Sequence, residues 1–443
     1  MRRVLYLSAL LSTFFLFCSA QPTYFSVPPT DAPALASRGT YLVGVRTLQL
    51  VHHGQVDILH FDKSTGKAPL YDRPLTIEIW YPALIPSGKT ESTTYQMAMP
   101  SGATFPIAGK ALRDAPPTSS GPFPLVVVSH GYPGSRFFLS YLTENLASKG
   151  YVVAAIDHTD SVTGAVRGFQ STLLNRSADQ IFTLSTLSAL AGDPENFLHG
   201  LLDPSRTALV GYSMGGYGAL ATAGAPYSPH ASAERLVPGG YFDAWTETSN
   251  TFATSRPANL KAVVAIAPWG NQPPYNSWDA AGLAQIQIPL LFIAGDQDDV
   301  SDFSHGIEPA FEESVHSNRC LLVYEDARHN VGGNPPPPLA LETFETRTFF
   351  DEPVWRKDRI TAINQHFITA FLDLYVKGDE SRRSFLFVSP EKSNDGQWPL
   401  PPGQSAGAAF SNGNHYWKGF ERRWAVGLEM HCESPAGQIS ESK

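Results

Sequence analysis

The sequence predicts an α/β protein, a mostly parallel central sheet with helices on both faces. Short continuous apolar runs alternate along the chain with longer stretches of helical spacing, as buried parallel strands and their crossover helices do. A glycine-flanked serine stands where one such strand meets the next helix, and two loops rich in Asp, Glu and His close later strands. Composition agrees. With 42% hydrophobic and only 16% charged residues, the 443-residue chain can bury a large core. A net charge of −9 offers no global basic field for nucleic acid or an anionic membrane.

Arg2 and Arg3 precede an apolar run over residues 4–17, and Cys18-Ser19-Ala20 follows it. That is the form of a secretory leader over residues 1–20, and the run is shorter than the roughly 20 residues that span a bilayer. A secreted protein without a membrane span is therefore expected, acting as a monomer. Beyond the leader two cysteines remain, Cys320 and Cys432, and in an oxidising compartment they are expected to pair rather than stay separate thiols. Asn175-Arg176-Ser177 is an N-glycosylation sequon, usable only in a eukaryotic host.

The first expected strand, residues 75–81 (LTIEIWY), alternates apolar and polar residues. Residues 82–124 are rich in Pro, Ser, Thr and Gly and read as a surface loop. Strands are then expected at 125–129, 151–156, 207–211, 260–267, 289–294 and 320–324, with helices at 138–149, 178–190 and 360–377. Two segments stand outside this alternation in a single domain over residues 21–443. Residues 223–259, with Tyr241, Phe242 and Trp245, read as a cap-like insertion, and residues 379–443 as a C-terminal extension.

Gly211-Tyr212-Ser213-Met214-Gly215 satisfies G-x-S-x-G, a strand-to-helix turn so sharp that its neighbours must lack side chains. The turn would leave the Ser213 hydroxyl exposed above the sheet, at a helix N-terminus that favours developing negative charge. A serine nucleophile needs a base, and the base an orienting acid. His329, in the loop after the 320–324 strand, is the expected base. Spacing alone leaves Asp296, Asp298, Asp299 and Asp302 in competition as the acid, and four carboxylates so close could also face a cation. An oxyanion hole needs two converging N–H groups. Met214 supplies one, and Tyr132 in His130-Gly131-Tyr132-Pro133-Gly134 is the best second candidate because Pro133 has no N–H.

At these residues the chain resembles the α/β-hydrolases of the dienelactone hydrolase-like group. By motif it is similar to the cutinase-like polyester hydrolases and the platelet-activating-factor acetylhydrolases. The resemblance runs over residues 75–378, through PLVVVSHGYPGSR, LASKGYVVAAID, GYSMGGYGAL, AIAPW, PLLFIAGDQDD, the His329 loop and FLDLYVKGD. It implies an α/β-hydrolase fold, with oxyanion N–H groups from Met214 and Tyr132 and Asp298 as the acid. Trp269, in Ala267-Pro268-Trp269, would flank the substrate. The acetylhydrolases carry their acid after the earlier strand, where this chain has no carboxylate. A cap over residues 223–259 would add Trp245 to the substrate contacts.

The expectation is a secreted serine hydrolase of carboxylic esters, without metal or cofactor, acting on a small or polymeric ester. Its alternatives are a lipid acetylhydrolase, an amidase or peptidase on the same fold, or a non-catalytic binding protein, which would normally lack the Ser, His or acid. A dinucleotide enzyme is disfavoured because no G-x-G-x-x-G follows the first buried strand.

Overall fold

The computed structural model describes residues 23–99, 102–231, 235–396, 403 and 417–437. The leader expected over residues 1–20 lies outside them. The sheet begins earlier than the sequence suggests. β1 (Leu42–Val56) pairs antiparallel with β2 (Leu70–Ala83), and β2 contains the expected 75–81 strand. Residues 82–124 are not simply a surface loop. They hold a hairpin of β3 (Thr93–Ala98) and β4 (Thr104–Gly109), then a short β5 (Leu112–Arg113). Tyr95, Met97, Phe105 and Ile107 alternate with exposed or half-exposed residues and are buried. The hairpin is thus an amphipathic ribbon with one face on the core.

The remaining elements follow the expected order: β6 (Phe123–Ser129), α1 (Ser140–Ser148), β7 (Val152–Asp157), α2 (Phe169–Leu190), β8 (Leu202–Tyr212), α3 (Met214–Ala223), β9 (Leu260–Ile266), β10 (Leu290–Gly295), β11 (Arg319–Tyr324), α4 (Lys357–Tyr375) and β12 (Leu428–Glu433). Among the described residues the main sheet has ten strands in the order β12-β11-β10-β9-β8-β6-β7-β2-β1-β5. The block from β11 to β7 is parallel, and β2 and β12 flank it antiparallel. Parallel strands need cover on both faces. Leu142 and Leu146 of α1 join Ile360 and Phe367 of α4 on one face. Leu173 and Leu184 of α2 join Tyr217 and Leu220 of α3 on the other.

The C-terminal extension supplies β12, which closes one edge of the sheet. Cys320 and Cys432 are register partners across β11 and β12 and form a disulfide. The sequon at Asn175 is not at the surface. Asn175 lies inside α2, 3% exposed, and its side-chain amide donates to the Ser171 carbonyl, so the folded chain offers no room for a glycan. Among the described residues no helix is long and apolar enough to cross a membrane.

Candidate active site

β8 delivers Ser213 to the carboxyl edge of the parallel block, and α3 starts at the next residue. The turn has no room to spare. A Cβ on Gly211 would stand 2.2 Å from the Gly215 carbonyl oxygen, and one on Gly215 would stand 2.0 Å from the Ser129 carbonyl oxygen. Ser213 itself takes φ 54, a backbone region that non-glycine residues rarely adopt. It is held there by its N–H donating to the Ile266 carbonyl at 2.8 Å and its carbonyl accepting from Trp269 N–H at 3.1 Å. Strain at such a position persists only where its surroundings over-determine it.

β10 and β11 deliver the partners. His329 Nε2 lies 2.9 Å from Ser213 Oγ, and His329 Nδ1 lies 2.8 Å from Asp298 Oδ2. A carboxylate on Nδ1 holds the proton there and leaves the Nε2 lone pair facing the serine hydroxyl. Asp298 is 4% exposed, and its other oxygen accepts from the N–H groups of Val300 and Ser301. The competing carboxylates are occupied elsewhere. Asp296 accepts from Asp326 N–H, Asp299 pairs with Arg328, and Asp302 caps the turn at His305. Among the described residues no group of three or more His, Cys, Asp or Glu is arranged to hold a metal ion.

The loop after β6 lies against the nucleophile, because a Cβ on Gly131 would stand 3.2 Å from Ser213 Cβ. Tyr132 is the next residue. Met214 is the first residue of α3, so its N–H has no intrahelical acceptor. Beyond them lies an aromatic wall. The Tyr132 ring meets Phe169 at 5.0 Å, Phe169 meets Trp269 at 5.4 Å, and Trp269 meets Tyr275 at 4.3 Å.

Residues 223–259 build on the flank of α3. Phe242 stacks on Tyr227 at 4.7 Å, Tyr227 on Tyr217 at 5.0 Å, and Tyr217 touches Trp269 at 5.8 Å. Tyr241 Oη accepts from Ala68 N–H, which ties the insertion to the β1–β2 connection. Trp245, at the end of the short helix Pro238–Trp245, is half-buried, and its carbonyl accepts from Tyr227 N–H.

Sequence reasoning missed a buried polar network under the Tyr132 loop. Arg73 of β2 donates to Asp179 at 2.7 Å and to Asp160 at 2.9 Å. Asp179 also pairs with His158 Nδ1, whose Nε2 meets Ser129 Oγ at 2.8 Å. Arg176 donates to the His130 carbonyl and to Ser161 Oγ. Burial, with Arg176 alongside, holds both His130 and His158 well below the usual imidazole value. Burial also lowers the Arg176 guanidinium to about 10. Burial alone would raise the Asp160 carboxyl, but Arg73, Arg176 and the Ser171 hydroxyl together outweigh it and Asp160 stays below the ordinary carboxylate range. The signal in the sequence is Arg176 and Asp179, the two charged residues of α2, without any hint of their partners.

The architecture is that of an α/β-hydrolase. A family model described as PET hydrolase-like matches residues 108–246, which include the Ser213 turn. The chain is 27% identical over 215 residues to Cutinase est1 of Thermobifida alba, a match covering 48% of this chain and 55% of the relative. It is 26% identical over 214 residues to bis(hydroxyethyl) terephthalate hydrolase of Streptomyces coelicolor, covering 48% of this chain and 52% of that protein. The match thus spans about half the length of these curated relatives. In structure the chain is similar to a ferulic acid esterase from Streptomyces cinnamoneus, with TM-score 0.51 and 21% identity over 81% of this chain and 94% of that one. That likeness concerns the fold.

Proposed function

We propose that this chain is a secreted serine hydrolase that cleaves carboxylic esters, with Ser213 as nucleophile, His329 as base and Asp298 as orienting acid. The observation that carries the reading is the unbroken hydrogen-bonded series Ser213–His329–Asp298 at the carboxyl ends of β8, β11 and β10. Ser213 Oγ attacks the ester carbonyl as His329 Nε2 takes its proton, and Asp298 stabilises the imidazolium. The oxyanion is received by the N–H groups of Met214 and Tyr132. His329 then protonates the departing alcohol, leaving an acyl group on Ser213. Water, deprotonated by the same imidazole, releases the acid.

The cutinase and terephthalate-ester relatives support an ester as substrate. The wall of Tyr132, Phe169, Trp269 and Tyr275 supports an ester whose acyl part is apolar or aromatic. Trp269 is its central ring, and Trp245 is the contact the insertion would add. The Cys320–Cys432 disulfide supports export.

A fluorophosphonate probe should label Ser213, and Ser213→Ala should lose labelling and at least about a thousandfold in kcat while still folding. Wild-type-like turnover by Ser213→Ala on p-nitrophenyl esters would end this reading. Esters of graded acyl length, compared with a polyester film, then rank the substrates.

A further inference from the structure

His329 is held from its far side by a carboxylate that belongs neither to the loop after β10 nor to the network under Tyr132. Glu352 is 6% exposed. One of its oxygens accepts from Arg328 N–H at 2.8 Å and the other from Asn330 N–H at 2.6 Å. The Ala327–Arg328 and His329–Asn330 peptide groups are thus fixed by one side chain. Charge-assisted hydrogen bonds of this kind are about twice as strong as neutral ones. The Asn330 carbonyl accepts from Lys357 Nζ, and Lys357 is also buried. Burial lowers its ammonium to about 8, with Glu352 and Asp351 acting against that shift.

The segment carrying Glu352 is itself anchored. Phe349 and Phe350 pack on Phe138, which stacks on Tyr212. The indole N–H of Trp355 donates to the Glu325 carbonyl at 2.7 Å. Asn330 returns the grip, its side-chain amide donating to the Thr348 and Asp351 carbonyls. The clamp therefore couples residues 348–357 to the backbone that aims the imidazole. The imidazole of His329 is set by that backbone together with Asp298, Ser213 and the Tyr212 ring 5.4 Å away.

We propose that Glu352 is a positioning residue, whose bidentate grip on the Arg328 and Asn330 N–H groups sets the imidazole of His329 between Asp298 and Ser213. The proposal rests on the serine-hydrolase reading above. Glu352 touches neither substrate nor nucleophile, so its loss acts on proton transfer and leaves the binding wall alone. An error of about 1 Å in such a constellation costs on the order of a hundredfold.

The test is Glu352→Gln, which keeps the shape but turns an NH2 group toward one of the two N–H donors. Expected are a kcat on p-nitrophenyl acetate lowered by about 10- to 100-fold, a nearly unchanged KM, and fluorophosphonate labelling slowed in parallel. The low-field proton resonance of the His329–Asp298 hydrogen bond should broaden or vanish. Loss of thermal stability with kcat and that resonance unchanged would overturn the proposal and leave Glu352 a structural residue. Should Glu352→Gln not fold, Glu352→Asp is the second variant. It keeps the charge but cannot span both donors, and an unchanged kcat there overturns the proposal equally. Ser213→Ala, run alongside, separates the two claims. If it is inert while both Glu352 variants are fully active, only the clamp falls. If it is active, the clamp falls with the hydrolase reading.

Discussion

Asp296, Asp298, Asp299 and Asp302 crowd one loop, yet each carboxylate meets a different partner and only Asp298 turns toward His329. Asp298→Asn would present an amide to Nδ1 and favour the wrong imidazole tautomer, an error that costs on the order of 10⁴ in kcat in other triads. Asp299→Asn disturbs only the exposed pair with Arg328 and should cost little. A pH-rate profile of the three variants Asp296→Asn, Asp298→Asn and Asp299→Asn checks this. If Asp296→Asn is the damaged one, the assignment of the acid is wrong. Ser213 and His329 could be read from the chain because the turn at Ser213 has one chemical solution and because His329 follows a strand end. The choice among the four acids needed family resemblance, since register within a loop is set by backbone hydrogen bonds that no spacing encodes. Arg73, Asp160, His158 and Asp179 were unreadable for a related reason. Their partners lie up to 106 residues apart, and nothing local marks a buried ion pair.

The hairpin β3–β4 and the 223–259 insertion show the same division among elements. Long apolar strands are plain in the sequence, whereas Tyr95, Met97, Phe105 and Ile107 are diluted by Thr, Pro and Gly and carry a loop-like pattern. β1 carries an alternating signal in the sequence at Val43 and Val45. The insertion was marked out by its aromatic residues, but what they pack on is set by tertiary structure. The column Phe242–Tyr227–Tyr217–Trp269 links the insertion to the wall beside Ser213. Tyr227→Ala removes the backing of Tyr217, and through it that of Trp269. KM for an aromatic ester should then rise about 2- to 10-fold, the equivalent of the roughly 0.5–1.5 kcal/mol of one aromatic pair. KM for an acetyl ester should stay near the wild-type value. Equal changes for both esters would show that the column serves stability alone. Trp245→Ala tests the middle of this segment in the same assay, and a raised KM there makes it a substrate contact.

Taken as a whole, the molecule keeps ionisable groups in its interior, and this sets how it should respond to acid. His366, in the middle of α4, is fully buried among Phe367, Phe385 and Phe420. Its Nδ1 accepts from Leu35 N–H at 3.1 Å. Burial, and then the charge of Lys149, lowers it from 6.5 to about 3. Above pH 6.5 the imidazole is neutral in both folded and unfolded chains and contributes no pH dependence. As pH falls from 6.5 toward 3 the unfolded chain takes up a proton that the folded chain refuses, so stability is lost across that window. At 1.36 kcal/mol per pH unit, His366 alone should remove about 2 kcal/mol between pH 6.5 and pH 5. His130 and His158 add losses of the same sign, because burial holds them low as well. His366→Gln does not titrate, and its side-chain oxygen can still accept from Leu35 N–H. Urea denaturation at pH 7.5 and pH 5 should show a fall in stability that is smaller in His366→Gln than in wild type by about that amount. The comparison is between two pH values within each protein, so any packing defect of the variant cancels. An identical fall in both proteins would mean that His366 is protonated in the folded state at pH 5, and that the acid response belongs to other groups.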